Sequence, residues 1–193
     1  MRRVIYLARH GETDWNRAGR WQGWTDVPLN GTGEEQATAL AERLRSRNVA
    51  RIVASNLSRA HRTAQIVAQT LDVPDVAVDP DLRERGFGIF EGLTREECEA
   101  RHPDAWQRYR ASADLPPGAE PHEIVTERMR RAVARAVDEG GPNEGSLLVV
   151  THGSALRAFV LAATGAMPAP LSNCALFRAT AFGGAYVDVE RLV

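Results

Sequence analysis

The sequence has no lysine: all 24 of its basic residues are arginine. That excludes Schiff-base catalysis by a lysine amine and the P-loop lysine that grips nucleotide phosphates. Cysteine is scarce too. Cys98 and Cys174 stand far apart, so neither a disulfide framework nor a Cys-x-x-Cys zinc or redox motif is available. No apolar run is long enough for a membrane helix, and Met1-Arg2-Arg3 leads straight into the first predicted strand without a secretory leader. The expected location is therefore the cytoplasm. A net charge of −1 offers no global attraction to nucleic acid or to an anionic membrane, and neither is expected as a partner. Any anion must be held by local arrangement.

What is present suits one soluble α/β domain over residues 1–193. With 44% hydrophobic and 25% charged residues, the composition is ordinary for a globular chain long enough to bury a real core. The organising stretch is Leu7-Ala8-Arg9-His10-Gly11-Glu12-Thr13. The apolar run Val4-Ile5-Tyr6-Leu7 before it reads as a buried strand. A strand ending in Arg-His-Gly delivers a cation and an imidazole to the carboxyl edge of a sheet, where open α/β sheets bind ligands. The polar loop 14–32 follows, long for a compact domain. Its Asn16 and Gln22 side chains and the Gly23 N–H are candidates to face the same anion, with Trp15, Trp21 and Trp24 as anchors.

Thr32-Gly33-Glu34-Glu35 fits a capping box with Thr32 at the N-cap, opening a helix to about residue 46. Residues 51–54 form a second strand, ending at Ser55-Asn56-Leu57-Ser58-Arg59, with Ser55 and Asn56 as capping candidates. A cation in the first turn of the next helix opposes the helix dipole. Arg59 is therefore either a solvated surface residue or the partner of an anion bound at that helix N-terminus. Residues 74–78 give a short third strand. Glu84 lies between Arg83 and Arg85, a setting that allows either protonation state. Residues 86–118, with helices over 94–110 broken at His102-Pro103, read as an excursion covering the site. Its Phe87, Phe90, Trp106 and Tyr109 would supply an apolar lining. A helix starts near Pro121 and runs to about residue 139, and a loop follows at Gly140-Gly141-Pro142-Asn143. The apolar run 146–150 is a central strand ending in Thr151-His152-Gly153, which repeats the opening design. Strands over 174–181 and 185–189 flank a hairpin at Gly183-Gly184.

Two arginines can grip the non-transferring oxygens of a phosphoryl group. Neutral His10 can attack phosphorus in line, a protonated His152 would add positive charge, and Glu84 can pass a proton to the leaving group. No cofactor or metal is needed. A rival arrangement uses His10, His152 and Glu84 as metal ligands. A further rival is a non-catalytic phospholigand-binding module.

L-A-R-H-G-E-T-D-W-N over residues 7–16 resembles the signature of the histidine phosphatase superfamily, the phosphoglycerate-mutase-like group. Ser55-Asn56-Leu57-Ser58-Arg59-Ala60 resembles its second arginine motif. Leu82-Arg83-Glu84 with Phe87-Gly88 and Glu91-Gly92 resembles its proton-donor segment, and Val149-Val150-Thr151-His152-Gly153 its second histidine motif. The four motifs stand in the family's order and cover nearly the whole chain. Asn56 and Arg62 stand where many relatives have aspartate and glutamine; neither is expected to be catalytic.

The resemblance implies a three-layer α/β/α sandwich around a mostly parallel sheet. It implies His10 as phosphorylated nucleophile, Arg9, Arg59 and His152 as the phosphate pocket with Gly153 beside it, and Glu84 as donor. The implied enzyme is a histidine acid-type phosphatase, a phosphomonoesterase acting on a small phosphorylated metabolite. The alternatives are a cofactor-dependent phosphoglycerate mutase and an α-ribazole phosphatase. The segment 86–118 carries Arg95, Arg101, Arg108 and Arg110 but no adjacent arginine pair of the mutase kind. Its Trp106-x-x-Tyr109 spacing and Pro-Pro-Gly ending are similar to the phosphatase branch. Related enzymes are often homodimers, and nothing in the chain marks an interface.

Overall fold

Strands that are apolar on both faces need a layer on each side. The computed structural model, which describes residues 2–141 and 145–192, is built that way. Strands β1 (Arg2–Arg9), β2 (Val49–Ala54), β3 (Val76–Val78), β4 (Ser146–Thr151), β5 (Leu176–Phe182) and β6 (Ala185–Leu192) form one sheet in the order β3-β2-β4-β1-β5-β6. The β3–β2, β2–β4 and β4–β1 pairs are parallel, and β5 and β6 add antiparallel neighbours at one side.

The seven helices among the described residues are α1 (Asp14–Arg17), α2 (Gly31–Leu44), α3 (Ser58–Thr70), α4 (Arg95–Arg101), α5 (Pro103–Arg110), α6 (His122–Asp138) and α7 (Gly153–Thr164). Period-two alternation divides the core. Ile5 and Leu7 of β1 join Leu147 and Val149 of β4 in a cluster with α6 and α7. Tyr6 and Ala8 join Leu148 and Val150 against α2 and α3 on the opposite face. This is the expected three-layer arrangement.

Local departures have physical causes. Helix α2 starts at Gly31 and ends at Leu44, and its N-cap is Asn30, not Thr32: the Asn30 side chain accepts from Gly33 N. Thr32 lies inside the first turn and accepts from Arg17. Neither Ser55 nor Asn56 caps α3. Leu57 holds that position without a side-chain bond. Asp26, brought over from the long loop, accepts from both the backbone N–H and the hydroxyl of Ser58 at 2.8 Å. A cap delivered from 32 positions away leaves no local signal. Strand β3 is shorter than expected, β2 begins earlier, and β5 starts at Leu176. Of the loop expected at 140–143, Pro142 and Asn143 lie outside the described residues.

Residues 86–118 build a satellite cluster. Phe87, Phe90, Cys98 and Trp106 are buried together, with Trp21 and Tyr109 against them. Trp21 meets Phe87 edge-on at 4.6 Å between ring centres, and Phe90 meets Trp106 at 5.7 Å. Of the four aromatics expected to line the site, only Phe87 does so. Phe90, Trp106 and Tyr109 instead pack on one another, because aromatic surface is more stable against other rings than against a polar cleft.

The turn after β1 packs against the start of α2 with no room for side chains. A Cβ on Gly33 would lie 2.1 Å from Glu12 O, and one on Gly11 would lie 2.3 Å from Gly33 O. Gly33→Ala is therefore expected to lower the unfolding free energy by about 2 kcal/mol in urea denaturation, as overpacking against rigid backbone does. Gly31→Ala, which meets nothing within 4 Å, should stay within about 0.5 kcal/mol of the parent.

Candidate active site

The parallel pairing of β1 with β4 sets the site. Arg9 is in register with Thr151, so the next residues, His10 and His152, leave adjacent strands side by side. Their ring centres are 5.1 Å apart. On the other side of β4, β2 leads into Arg59 at the start of α3. The sequence-expected residues Arg9, His10, Asn16, Gln22, Gly23, Arg59, Glu84 and Gly153 all border one cleft of about 620 Å³. His152 does not open onto it. It lies fully buried behind His10.

His10 is 2% exposed, and its Nδ1 lies 2.6 Å from its neighbour's carbonyl, Gly11 O. A carbonyl can only accept, so Nδ1 carries the proton and Nε2 keeps its lone pair. Burial, then the charges of Arg9 and Arg59, hold the imidazole well below its usual range, against a small opposing effect of the Gly11 bond. His10 is thus neutral near pH 7. The Gly11 turn that carries it is fixed through Thr63, whose hydroxyl accepts from Gly11 N and donates to Arg59 O.

His152 is likewise lowered well below its usual range, by burial first and then by Arg59 and His10. It is therefore neutral in the unliganded protein: a buried third cation is costly beside two guanidiniums. Neither of its ring nitrogens has a hydrogen-bond partner.

The two arginines are oriented by neutral groups. Arg9 Nη1 donates to Leu171 O at 2.5 Å. Arg59, fully buried and not a surface residue, donates to Thr25 O at 2.9 Å and Gly23 O at 2.8 Å. In each, the buried Nε has no partner. Burial lowers both, Arg59 to about 10, and both remain charged at neutral pH.

Glu84 is reached by the chain beyond the 3-10 turn Pro80–Leu82 and is 9% exposed. Its Oε1 accepts from the backbone N–H of Arg85 at 2.8 Å and of Ser154 and Ala155 at 3.1 Å. Its Oε2 accepts only from Ser154 N, at 3.2 Å. The carboxylate thus caps the N-terminus of α7, a favourable place for negative charge. A Cβ on Gly153 would sit 3.8 Å from Oε2 and 3.6 Å from Arg9 Nε, so glycine keeps this floor of the cleft open.

Asn16 Oδ1 is taken by Thr13 and by Asn173 Nδ2 at 3.1 Å, which leaves its NH2 group for the cleft. Gln22 Oε1 is buried without a partner. Gly23 adopts φ +52, and a Cβ there would lie 1.9 Å from Glu91 Oε1. Glu91 accepts from the backbone of Trp24, Thr25 and Phe87, tying the long loop to the 86–118 segment.

Sequence reasoning missed the stretch between α7 and β5. Leu171 orients Arg9, and Asn173 Nδ2 donates to His10 O at 3.1 Å. No motif marks these residues. Arg17, Arg20 and Arg157 also line the cleft, as does Arg95 among the four arginines noted in the covering segment. Arg17 and Arg20 are offset by Glu12 and Glu97.

A sequence model described as the histidine phosphatase superfamily (branch 1) matches residues 5–183. The chain is 39% identical over 165 residues to an uncharacterized phosphatase, PhoE, of Bacillus subtilis, covering 86% of this chain and 79% of that one. It is 39% identical over 171 residues to a metal-independent phosphoserine phosphatase of Arabidopsis thaliana, covering 86% and 70%. Relatives of similar identity carry phosphoglycerate mutase-like names. A mycobacterial glucosyl-3-phosphoglycerate phosphatase solved with VO3 superposes with a TM-score of 0.85 at 30% identity, covering 99% of this chain and 98% of that one. With the paired histidines, the two buried arginines and a family match over nearly its whole length, the chain belongs to the histidine phosphatase superfamily, branch 1.

Proposed function

We propose that this protein is a metal-independent phosphomonoesterase that hydrolyses small phosphorylated metabolites through a phosphohistidine on His10. One observation carries the reading: a neutral imidazole whose Nε2 keeps its lone pair shares one cleft with two buried guanidiniums that are held by backbone carbonyls. That is an electrophile-binding, anion-seeking site. Two relatives are phosphatases by name. In this reading Arg9 and Arg59 are the groups that neutralise the charge of the bound phosphoryl group.

In the first step His10 Nε2 forms a bond to phosphorus as the bond to the leaving oxygen breaks. Arg9, Arg59, the Asn16 NH2 and the Gly23 and Gly153 N–H groups hold the equatorial oxygens, with the buried Gln22 side chain beside them. Glu84 gives its proton to the departing alkoxide. Oε2 is the oxygen to carry that proton, since Oε1 is occupied by three backbone donors. In the second step water attacks phosphorus, Glu84 takes a proton from it, and the N–P bond breaks to return His10 and inorganic phosphate. A bound dianion reverses the local charge balance, and His152 then becomes able to take a proton beside it.

A mutase reading is favoured by the relatives with mutase-like names. Assay of 3-phosphoglycerate with and without bisphosphoglycerate separates the two. The expected outcome is phosphate release without dependence on bisphosphoglycerate; robust isomerisation with negligible p-nitrophenyl phosphate hydrolysis would overturn the phosphatase reading.

Three further outcomes are expected. Quench of turnover with labelled substrate in alkaline denaturant should trap a base-stable, acid-labile adduct on His10, absent in His10→Ala, whose kcat/KM should fall by at least about 10⁴-fold. Activity should survive exhaustive chelation and be inhibited by vanadate, a mimic of the five-coordinate transition state. The depressed His10 keeps Nε2 unprotonated well below pH 6.5, and protonation on acidification removes the nucleophile. Arg59→Met takes away one repelling cation, so the His10 titration followed by NMR in the free enzyme should move up toward 6.5. An unmoved or lowered titration would contradict the electrostatic assignment.

A further inference from the structure

Arg128 lies on α6, outside the cleft lining. Its side chain is 8% exposed and pairs with that of Glu120, 11% exposed. A guanidinium has five N–H donors, and five bonds are made here. Nε and Nη2 donate to Glu120 Oε1 and Oε2, both at 2.8 Å. Nη1 donates to Asp81 O at 2.8 Å and Arg83 O at 2.6 Å, and Nη2 donates to Glu84 O at 2.9 Å.

Three carbonyls from one short stretch therefore converge on one cation. Without it the Asp81 and Arg83 carbonyls would lose this donor, at a cost comparable to lost hydrogen bonds. Trp24 Nε1 adds a second donor to Glu84 O at 2.8 Å. Glu120 extends the hold to the far side of Glu84, where its Oε2 accepts from Gly86 N at 3.3 Å and its carbonyl accepts from Arg85 Nε at 2.8 Å. The backbone on both sides of Glu84 is thus tied to Arg128 of α6 and to Glu120 just before that helix, while the Glu84 carboxyl reaches α7.

We propose that Arg128, with Glu120 as its counter-ion, is a positioning residue that sets where the Glu84 carboxyl stands relative to His10 and Arg9. This rests on the reading of Glu84 as proton donor. Lysine cannot replace Arg128, because three tetrahedral donors on one nitrogen cannot serve three carbonyls and a bidentate carboxylate at once.

The experiment compares kcat/KM, which reports the phosphorylation step, for two substrates. One is a phosphate ester of an unactivated alcohol, whose leaving group needs a proton. The other is 2,4-dinitrophenyl phosphate, whose leaving group departs without one. Arg128→Lys is expected to lose on the order of 100-fold on the alkyl ester and under about fivefold on the dinitrophenyl ester. Glu120→Gln, the milder change, is expected to show the same selectivity at about tenfold, and it decides the matter if Arg128→Lys does not fold. Glu84→Gln is measured alongside. If it is selective while Glu120→Gln and any folded Arg128→Lys lose equally on both esters, or lose nothing, Arg128 is only structural and the inference is overturned. If Glu84→Gln itself is unselective, the donor role of Glu84 is what fails.

Discussion

The site depends on how its two buried cations are held. Arg9 and Arg59 are oriented by main-chain carbonyls, those of Leu171, Gly23 and Thr25. A carbonyl fixes a guanidinium in place without cancelling its charge. Elsewhere the protein treats arginine differently: Arg128 is matched by Glu120, and Arg135 by Asp79 and Asp81. Burial first, and then the charge of these two guanidiniums, keeps His10 and His152 neutral, while Glu84 attracts both cations without pairing directly with either. Burying cations in this state is costly. The surrounding sheet, fully buried at β4, supplies the rigidity that such an arrangement needs.

That rigidity comes from several layers of support. Thr63 links the His10 turn to Arg59, Asn173 links it to Asn16, and Glu91 ties the long loop to the segment over residues 86–118. The aromatic cluster around Phe90 gives that segment a small core of its own, so its polar face can line the cleft without collapsing into it. Glu84 stands where these supports meet α7, with one oxygen saturated by backbone donors and the other turned to the floor beside Gly153.

Much of this was legible beforehand. The apolar runs at 4–7 and 146–150, each ending in histidine and glycine, identify the central strands and the edge they share. The four motifs place His10, Arg59, Glu84 and His152 in family order. Other features were not legible because their causes are distant in sequence. The cap of α3 comes from Asp26, and the orientation of Arg9 comes from Leu171, 162 positions away. The full burial of His152 was not legible either, because it depends on packing between distant segments that no local pattern reports. The same holds for Phe90, Trp106 and Tyr109, aromatic residues whose composition suits a lining or a core equally well.

By itself the sequence determined the layered α/β class, the strands that end in the reactive residues, and the absence of lysine and clustered cysteine chemistry. These follow from periodicity, turn residues and side-chain type, all of which are local. Only the tertiary structure decided that β1 and β4 are neighbours in register, that both guanidiniums are held by carbonyls, and that both imidazoles are neutral. Those outcomes depend on distances between segments far apart in the chain and on the exclusion of water, which exist only once the layers have closed.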